Sequence, residues 1–233
     1  MKQTLYFIPG TQCDNRLWSR VLPYLDSEIE VVHLPIPNQL NFEQIAAHYQ
    51  QQLGEEPVNL VGFSLGGYIA SDFLARYPEQ VNRIFIIANS PTALPENELK
   101  QRYAMRAFAE KNGYQGLSRK RVASLLSAQN RDESIIDCVL AMDKTLGAET
   151  FLSQFQHTTE RCNLASYFNQ YQGTAYFYYS EQDALIDKAW FQQLDLTRPQ
   201  LKILTTENAG HMIPLEQPQA LAQHLNNWVR DFT

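Results

Sequence analysis

The chain has 233 residues, with 44% hydrophobic and 19% charged residues and a net charge of −6. That length and balance fit a soluble globular protein with one substantial core, and exclude a disordered or low-complexity chain. No basic run or patch stands out among the 19 lysines and arginines, which argues against nucleic acid as a partner.

In chain order, Leu5 to Ile8 is a short apolar run stopped by Pro9-Gly10, a buried strand followed by a loop. Helical spacing over Arg16 to Leu25 places Leu17, Trp18, Val21, Leu22 and Leu25 on one side. Glu30 to Leu34 reads as a second strand, closed by Pro35 and Pro37. Asn41 is suited to cap a helix running to about Leu53, with Glu43 in its first turn. Val58 to Phe63 is a third strand, Leu65 to Tyr77 a helix stopped by Pro78, and Val81 to Ala88 a fourth strand. From Pro91 to about Leu164 the alternation breaks into a helical pattern interrupted near Gly113, Gly116 and Gly147. Strands return at Ala175 to Tyr179 and Leu201 to Thr205, with helices at about Lys188 to Leu194 and Gln217 to Phe232. Short apolar strands alternating with helices predict an α/β fold with a mostly parallel sheet covered on both faces. Residues 1–90 and 165–233 form the core in this reading, and 91–164 an inserted helical cap.

The run Val58-Asn59-Leu60-Val61-Gly62-Phe63-Ser64-Leu65-Gly66-Gly67 joins a buried strand directly to a helix through G-x-S-x-G. A serine hydroxyl is a weak nucleophile unless a tight turn presents it beside a base. Gly62 and Gly66 leave room for such a turn, and strand, turn and helix in this order are the context of a nucleophile elbow. Ser64 is the expected nucleophile.

In strand–turn–helix serine enzymes the acid and the histidine follow the serine in that order. Five histidines are present. His33 precedes the serine, His48 and His224 fall within helical patterns, and His157 lies in the 91–164 segment. His211 lies in Asn208-Ala209-Gly210-His211-Met212-Ile213-Pro214, directly after the last strand, and is the expected base. For the acid, Asp183 follows the fifth strand, with Glu181 and Asp187 as rivals. Asp187 is suited to cap the helix from Lys188, and Asp183 to form a turn, but the position of Asp183 past a strand end favours the catalytic role. Two N–H donors are needed for an oxyanion. Leu65, next after the serine, is one; Thr11 in the Pro9-Gly10-Thr11-Gln12 loop is the other, with Gln12 second.

Cys13, Cys138 and Cys162 are odd in number, widely spaced and without a C-x-x-C pair. This points to a reducing compartment rather than to a disulfide framework or a zinc site. Pro9-Gly10 interrupts the first apolar run too early for a signal peptide, and no stretch reaches membrane-spanning length. The expectation is a cytoplasmic protein acting on a small molecule, with no membrane partner, no metal and no cofactor.

Taken together, Pro9-Gly10-Thr11 with Trp18, the Ser64 elbow, Asp183, and Gly210-His211 followed by Pro214-Leu215-Glu216-Gln217-Pro218 resemble the α/β-hydrolase superfamily. The likeness covers nearly all of the chain outside 91–164. Two departures are visible: the chain begins at the strand bearing the oxyanion loop, without the family's N-terminal hairpin, and Pro9-Gly10 stands where His-Gly is common. The resemblance implies the α/β-hydrolase fold, a cap that sets substrate choice, and a serine hydrolase of the esterase, thioesterase or C–C hydrolase branch acting on an acyl substrate. It also takes in MenH-like synthases, which use a similar triad for an elimination. Arg102, Arg106, Arg119 and Arg121 could hold a polycarboxylate in that alternative, although such charges read first as a solvated helix face. A third alternative is a non-catalytic binder. Tyr103, Phe108 and Phe155 suggest an apolar acyl pocket, or plain core.

Overall fold

The computed structural model describes residues 2–231. Six strands form one sheet: β1 (Gln3–Ile8), β2 (Ile29–His33), β3 (Val58–Phe63), β4 (Val81–Ile87), β5 (Thr174–Ser180) and β6 (Leu201–Thr206). Their spatial order is β2-β1-β3-β4-β5-β6, and every neighbouring pair is parallel. β3 and β5 are buried at every position, as the near-continuous apolar runs of strands covered on both faces require. Alternate residues feed two cores. Leu60, Ile84, Ile86 and Phe177 point to one side of the sheet. Val61, Phe63, Phe85 and Tyr178 point to the other.

The helices are α1 (Phe42–Leu53), α2 (Leu65–Arg76), α3 (Glu96–Asn112), α4 (Arg119–Ala123), α5 (Glu133–His157), α6 (Ala165–Gln170), α7 (Ile213–Glu216) and α8 (Pro218–Arg230). α1 starts as its sequence indicates. The Asn41 side chain accepts from the Gln44 N–H, and the Gln44 side chain accepts from the Asn41 N–H, each at 3.0 Å. Helices α3, α4 and α5 fall within residues 91–164, between two adjacent parallel strands. α5 is broken at Gly147, where φ is 67°.

Two expected helices differ. Arg16 to Leu25 is two short 3₁₀ turns, Asn15–Trp18 and Leu22–Tyr24. Pro23 has no N–H to donate into an α-helix started upstream, so the spacing that buries Leu17 and Trp18 is met by turns instead. Lys188–Gln193 is likewise a 3₁₀ helix. The helix expected from Gln217 is α8, with the separate short α7 ahead of it, and its expected end at Phe232 lies outside the described residues. Cys13, Cys138 and Cys162 are free thiols. Among the described residues, no helix is long and apolar enough to cross a membrane.

Candidate active site

Ser64 sits between β3 and α2 with φ 51° and ψ −118°. A non-glycine residue rarely adopts a positive φ, and holding it costs on the order of 1–3 kcal/mol. The surrounding backbone imposes it. The Ser64 N–H donates to the Ile87 carbonyl at 2.9 Å, and the Tyr68 N–H donates to the Ser64 carbonyl at 3.1 Å. A Cβ at Gly62 would overlap the Gly66 carbonyl, and one at Gly66 the carbonyls of Ile8 and Pro9. Only hydrogen at both positions lets the helix start this close to the sheet.

Ser64, His211 and Asp183 converge. His211 Nε2 is 3.0 Å from Ser64 Oγ, and His211 Nδ1 is 2.7 Å from Asp183 Oδ2. The carboxylate can only accept, so Nδ1 carries the proton and Nε2 is free to accept from the serine hydroxyl. Asp183 is 4% exposed. Its Oδ1 accepts from the Leu185 N–H at 2.9 Å, as a turn former would, while Oδ2 faces the imidazole. Glu181 pairs with Lys188 at 2.6 Å, and Asp187 caps the Ala189 N–H at 3.0 Å. Neither reaches the imidazole. Burial alone would pull the His211 pKa down. The charge and hydrogen bond of Asp183, with the charge of Glu216 behind them, outweigh it and hold the pKa above the ordinary histidine value.

The His211 loop is pinned by a residue not singled out for a role in the sequence. The buried Glu216 carboxylate accepts from the Gly210 and Met212 N–H groups at 2.9–3.0 Å, on either side of His211. It also accepts from the Ser127 N–H at 2.8 Å. The His211 N–H donates to the Leu125 carbonyl at 2.7 Å, so the segment between β4 and β5 meets the histidine loop directly. Glu216 lies in the Pro-Leu-Glu-Gln-Pro run quoted above, and a buried acid near a loop histidine is the signal that was available.

The Pro9–Gln12 loop lies against the serine: a Cβ built on Gly10 would stand 3.2 Å from Ser64 Cβ. Among the described residues, the N–H groups of Thr11 and Leu65 have no protein acceptor. The Gln12 N–H is committed elsewhere, donating to Gln154 Oε1 at 3.0 Å. Gln12 is 2% exposed with φ 52°. Its side-chain amide donates to Asp143 Oδ1 at 2.9 Å and to the Gly147 carbonyl at 3.2 Å. The loop is thus clamped to α5. Neighbouring Cys13 is not a competing nucleophile, because burial, helped by Asp14, pushes its thiol up to about 12.

Ser64 and His211 open onto a cavity of about 590 Å³ that also receives Thr11, Arg102, Phe155 and Arg161. A second cavity of about 410 Å³, walled by Phe7, Trp18, His33 and Leu146, contains none of the three converging residues. Of the aromatics expected in an acyl pocket, Phe155 lines the larger cavity, whereas Tyr103 and Phe108 are 45% and 60% exposed and do not line it. The basic residues divide too. Arg106 pairs with Glu110, and Arg119 with Glu133 and Asp137, on the surface. Arg102 departs from the solvated-face expectation: it is 8% exposed and stacks over the Phe155 ring at 4.3 Å. Among the described residues, no cluster of three or more His, Cys, Asp or Glu side chains is placed to hold a metal ion.

A parallel sheet whose central strand turns sharply at a serine into a helix, with a histidine on the loop after the last strand, defines the α/β-hydrolase fold. Residues 5–224 match the sequence profile of the Alpha/beta hydrolase family, and the chain belongs to that family. It is similar to a thermophilic esterase from Thermogutta terrifontis, at 19% identity and TM-score 0.84 over 99% of this chain and 90% of the other. It is also similar to the enol-lactonase of Burkholderia xenovorans, at 14% identity and TM-score 0.80 over 99% and 92%. Among curated proteins it is 24% identical to the biotin biosynthesis bifunctional protein BioHC of Teredinibacter turnerae, over 98% of this chain and 45% of that protein. The chain therefore spans less than half the length of this curated relative.

Proposed function

We propose that this protein is a serine hydrolase that cleaves an ester or thioester of a small acyl substrate. The observation that carries the reading is the unbroken chain from Ser64 Oγ through the His211 imidazole to Asp183, at 3.0 and 2.7 Å. In this mechanism Ser64 Oγ attacks the acyl carbonyl while His211 Nε2 takes its proton. The N–H groups of Leu65 and Thr11 hold the oxyanion, and the start of α2 adds its dipole. The imidazolium, stabilised by Asp183, protonates the leaving group as the tetrahedral intermediate collapses to an acyl-enzyme. Water, deprotonated by the same Nε2, then attacks the acyl carbon, and Ser64 recovers its proton as the acid leaves. Residues 91–164 serve as the cap over the cavity, and no cofactor enters any step. The esterase and lactonase likenesses support acyl chemistry.

The test is labelling by a fluorophosphonate probe together with turnover of 4-nitrophenyl esters. Ser64→Ala is expected to abolish labelling and to lower kcat by about 10⁶-fold, the scale on which loss of a triad serine acts, without lowering the melting temperature. Unchanged turnover in that variant overturns the acyl-enzyme. If wild type takes the label but turns over no ester or thioester, the triad acts as a base for an elimination instead.

A further inference from the structure

The Ser64 cavity is lined by three arginines that the proposed mechanism does not use; Arg121 is exposed, and the other two are not. Arg102, on α3, is 8% exposed. Its Nε donates to Thr159 Oγ1 at 3.0 Å, its guanidinium lies over Phe155, and its Nη2 is buried with no hydrogen-bond partner. Arg161, in the segment joining α5 to α6, is half-buried; its Nε donates to the Thr158 carbonyl at 3.1 Å and its guanidinium lies 5.0 Å from the Tyr68 ring centre. Among the described residues, neither guanidinium is in an ion pair with a carboxylate. Burial pulls both down from the ordinary arginine value; for Arg161 the charge of Arg102 adds to it, and at both the charge of Glu98, not in contact, offsets only part. A buried cation left without an anion is destabilising, and the cost is relieved when one arrives. Two other arginines on the same helical segment do find carboxylates, Arg106 with Glu110 and Arg119 with Glu133 and Asp137, whereas the exposed Arg121 and Arg131 are left to solvent.

We propose that Arg102 and Arg161 form a carboxylate-binding subsite in the Ser64 cavity, so that the acyl part of the substrate carries a free carboxylate. Placement of that carboxylate on the acyl part rests on the Ser64 reading given above; the subsite itself does not. The acyl part is the half that stays in the cavity once the leaving group departs, so a fixed subsite there acts in both half-reactions. The planar, delocalised guanidinium matches a carboxylate by geometry as well as charge. The amount of charge also fits. The cavity wall carries Arg102, Arg121 and Arg161 against Glu98 and Asp187, an excess of one positive charge that suits a monoanion better than a phosphoryl dianion. Asp187 is already engaged in capping Ala189.

The test compares two esters of matched shape, the mono-4-nitrophenyl ester of glutarate and 4-nitrophenyl valerate, which differ in a terminal carboxylate against a methyl. Wild type is expected to favour the glutarate ester at least tenfold in kcat/KM. Arg102→Met, which keeps an unbranched stem over Phe155, and Arg161→Met should each lower that ratio at least tenfold, mainly through KM. Arg102→Lys should retain part of it. A merely structural loss would lower both esters alike and leave the ratio standing. The second arm needs no turnover: glutarate is titrated calorimetrically into Ser64→Ala protein. Binding that disappears when Arg102→Met is added supports the subsite. Absence of glutarate binding in Ser64→Ala, a wild-type ratio of one or below, or a ratio unchanged in both methionine variants overturns it. Glutarate binding with no hydrolysis of either ester supports the subsite and tells against the Ser64 reading alone.

Discussion

At the Ser64 turn, the constraints come from backbone packed against backbone within the sheet and the first turn of α2, whereas the 91–164 segment is held to the site mostly by side chains reaching across the chain, with the His211 N–H bond to the Leu125 carbonyl as a backbone exception. Gly62 and Gly66 leave no volume for anything but hydrogen. By contrast, Gln12 reaches Asp143, which is 131 positions away, and Ser127 reaches Glu216, which is 89 away. The difference sorts what each region does. A backbone-built turn aims one nucleophile in a fixed direction. A side-chain-built seam can change its residues without altering the sheet, and so can vary what the cavity admits. The two meet at the oxyanion loop, where Gly10 lies against Ser64 and Gln12 is tied to α5.

The comparison is sharpened first at the imidazole that serves the backbone-built turn, where the largest effects belong. Asp183→Asn removes the charge that holds His211 above its ordinary pKa while leaving the burial that lowers it. A rate loss of about 10⁴-fold is expected, because an amide can no longer fix the tautomer with Nδ1 protonated. The pH profile carries the sign. In wild type the base must be neutral, so activity falls as pH drops through a pKa raised above the usual 6.5 or so. In the variant the remaining activity should persist to lower pH. A pH–rate profile with the acid limb unmoved would separate Asp183 from the imidazole it touches.

Next in size is the seam itself. Gln12→Ala removes the amide that bonds Asp143 and the Gly147 carbonyl. The bond from the backbone N–H of residue 12 to Gln154 Oε1 remains, so the loop is loosened rather than released. Misplacement of an oxyanion donor by about 1 Å can cost up to about 10²-fold, and kcat should fall by up to that factor with KM little changed. A fall in KM affinity without loss of kcat would mean that the loop binds substrate rather than the transition state. Glu216→Gln comes below it. An amide nitrogen placed among the Gly210, Met212 and Ser127 N–H groups cannot accept from them, and each buried donor left unpaired costs about 1–3 kcal/mol. The melting temperature of this variant measures the effect.

The same division explains what could be read from the sequence. The elbow, α1 with its Asn41 cap and the order of the strands depend on contacts between near neighbours or on apolar runs, and a linear pattern carries these. The separation of Asp183 from Glu181 and Asp187 turned on which carboxylate faces His211, a matter of a few ångströms that spacing suggests and only coordinates measure. Arg102 read as part of a solvated face because α3 is strongly polar along its length; its burial comes from the Phe155 and Thr159 surfaces packed against it. Arg161 lies between helices, where no periodicity marks it. The misread at Arg16 to Leu25 has a local cause, since spacing that suits an α-helix also suits successive 3₁₀ turns, and Pro23 was the residue that decided between them.

The smallest effect expected lies on the outer surface of the helical segment. Arg119 pairs with Asp137 at 2.6 Å and with Glu133, and its side chain is about half exposed. Exposed pairs of this kind contribute about 0–1 kcal/mol, because both partners are already well solvated and lose side-chain freedom on pairing. Arg119→Ala should therefore shift stability by less than about 1 kcal/mol and leave ester turnover unchanged, since the side chain does not line the Ser64 cavity. Salt should diminish even that shift, as it screens exposed charges. A loss of turnover in this variant, measured at low and high salt, would show that charge on the outer face reaches the cavity after all. The contrast between Arg119, which has carboxylates, and Arg102 and Arg161 in the cavity, which await one, would then need to be redrawn.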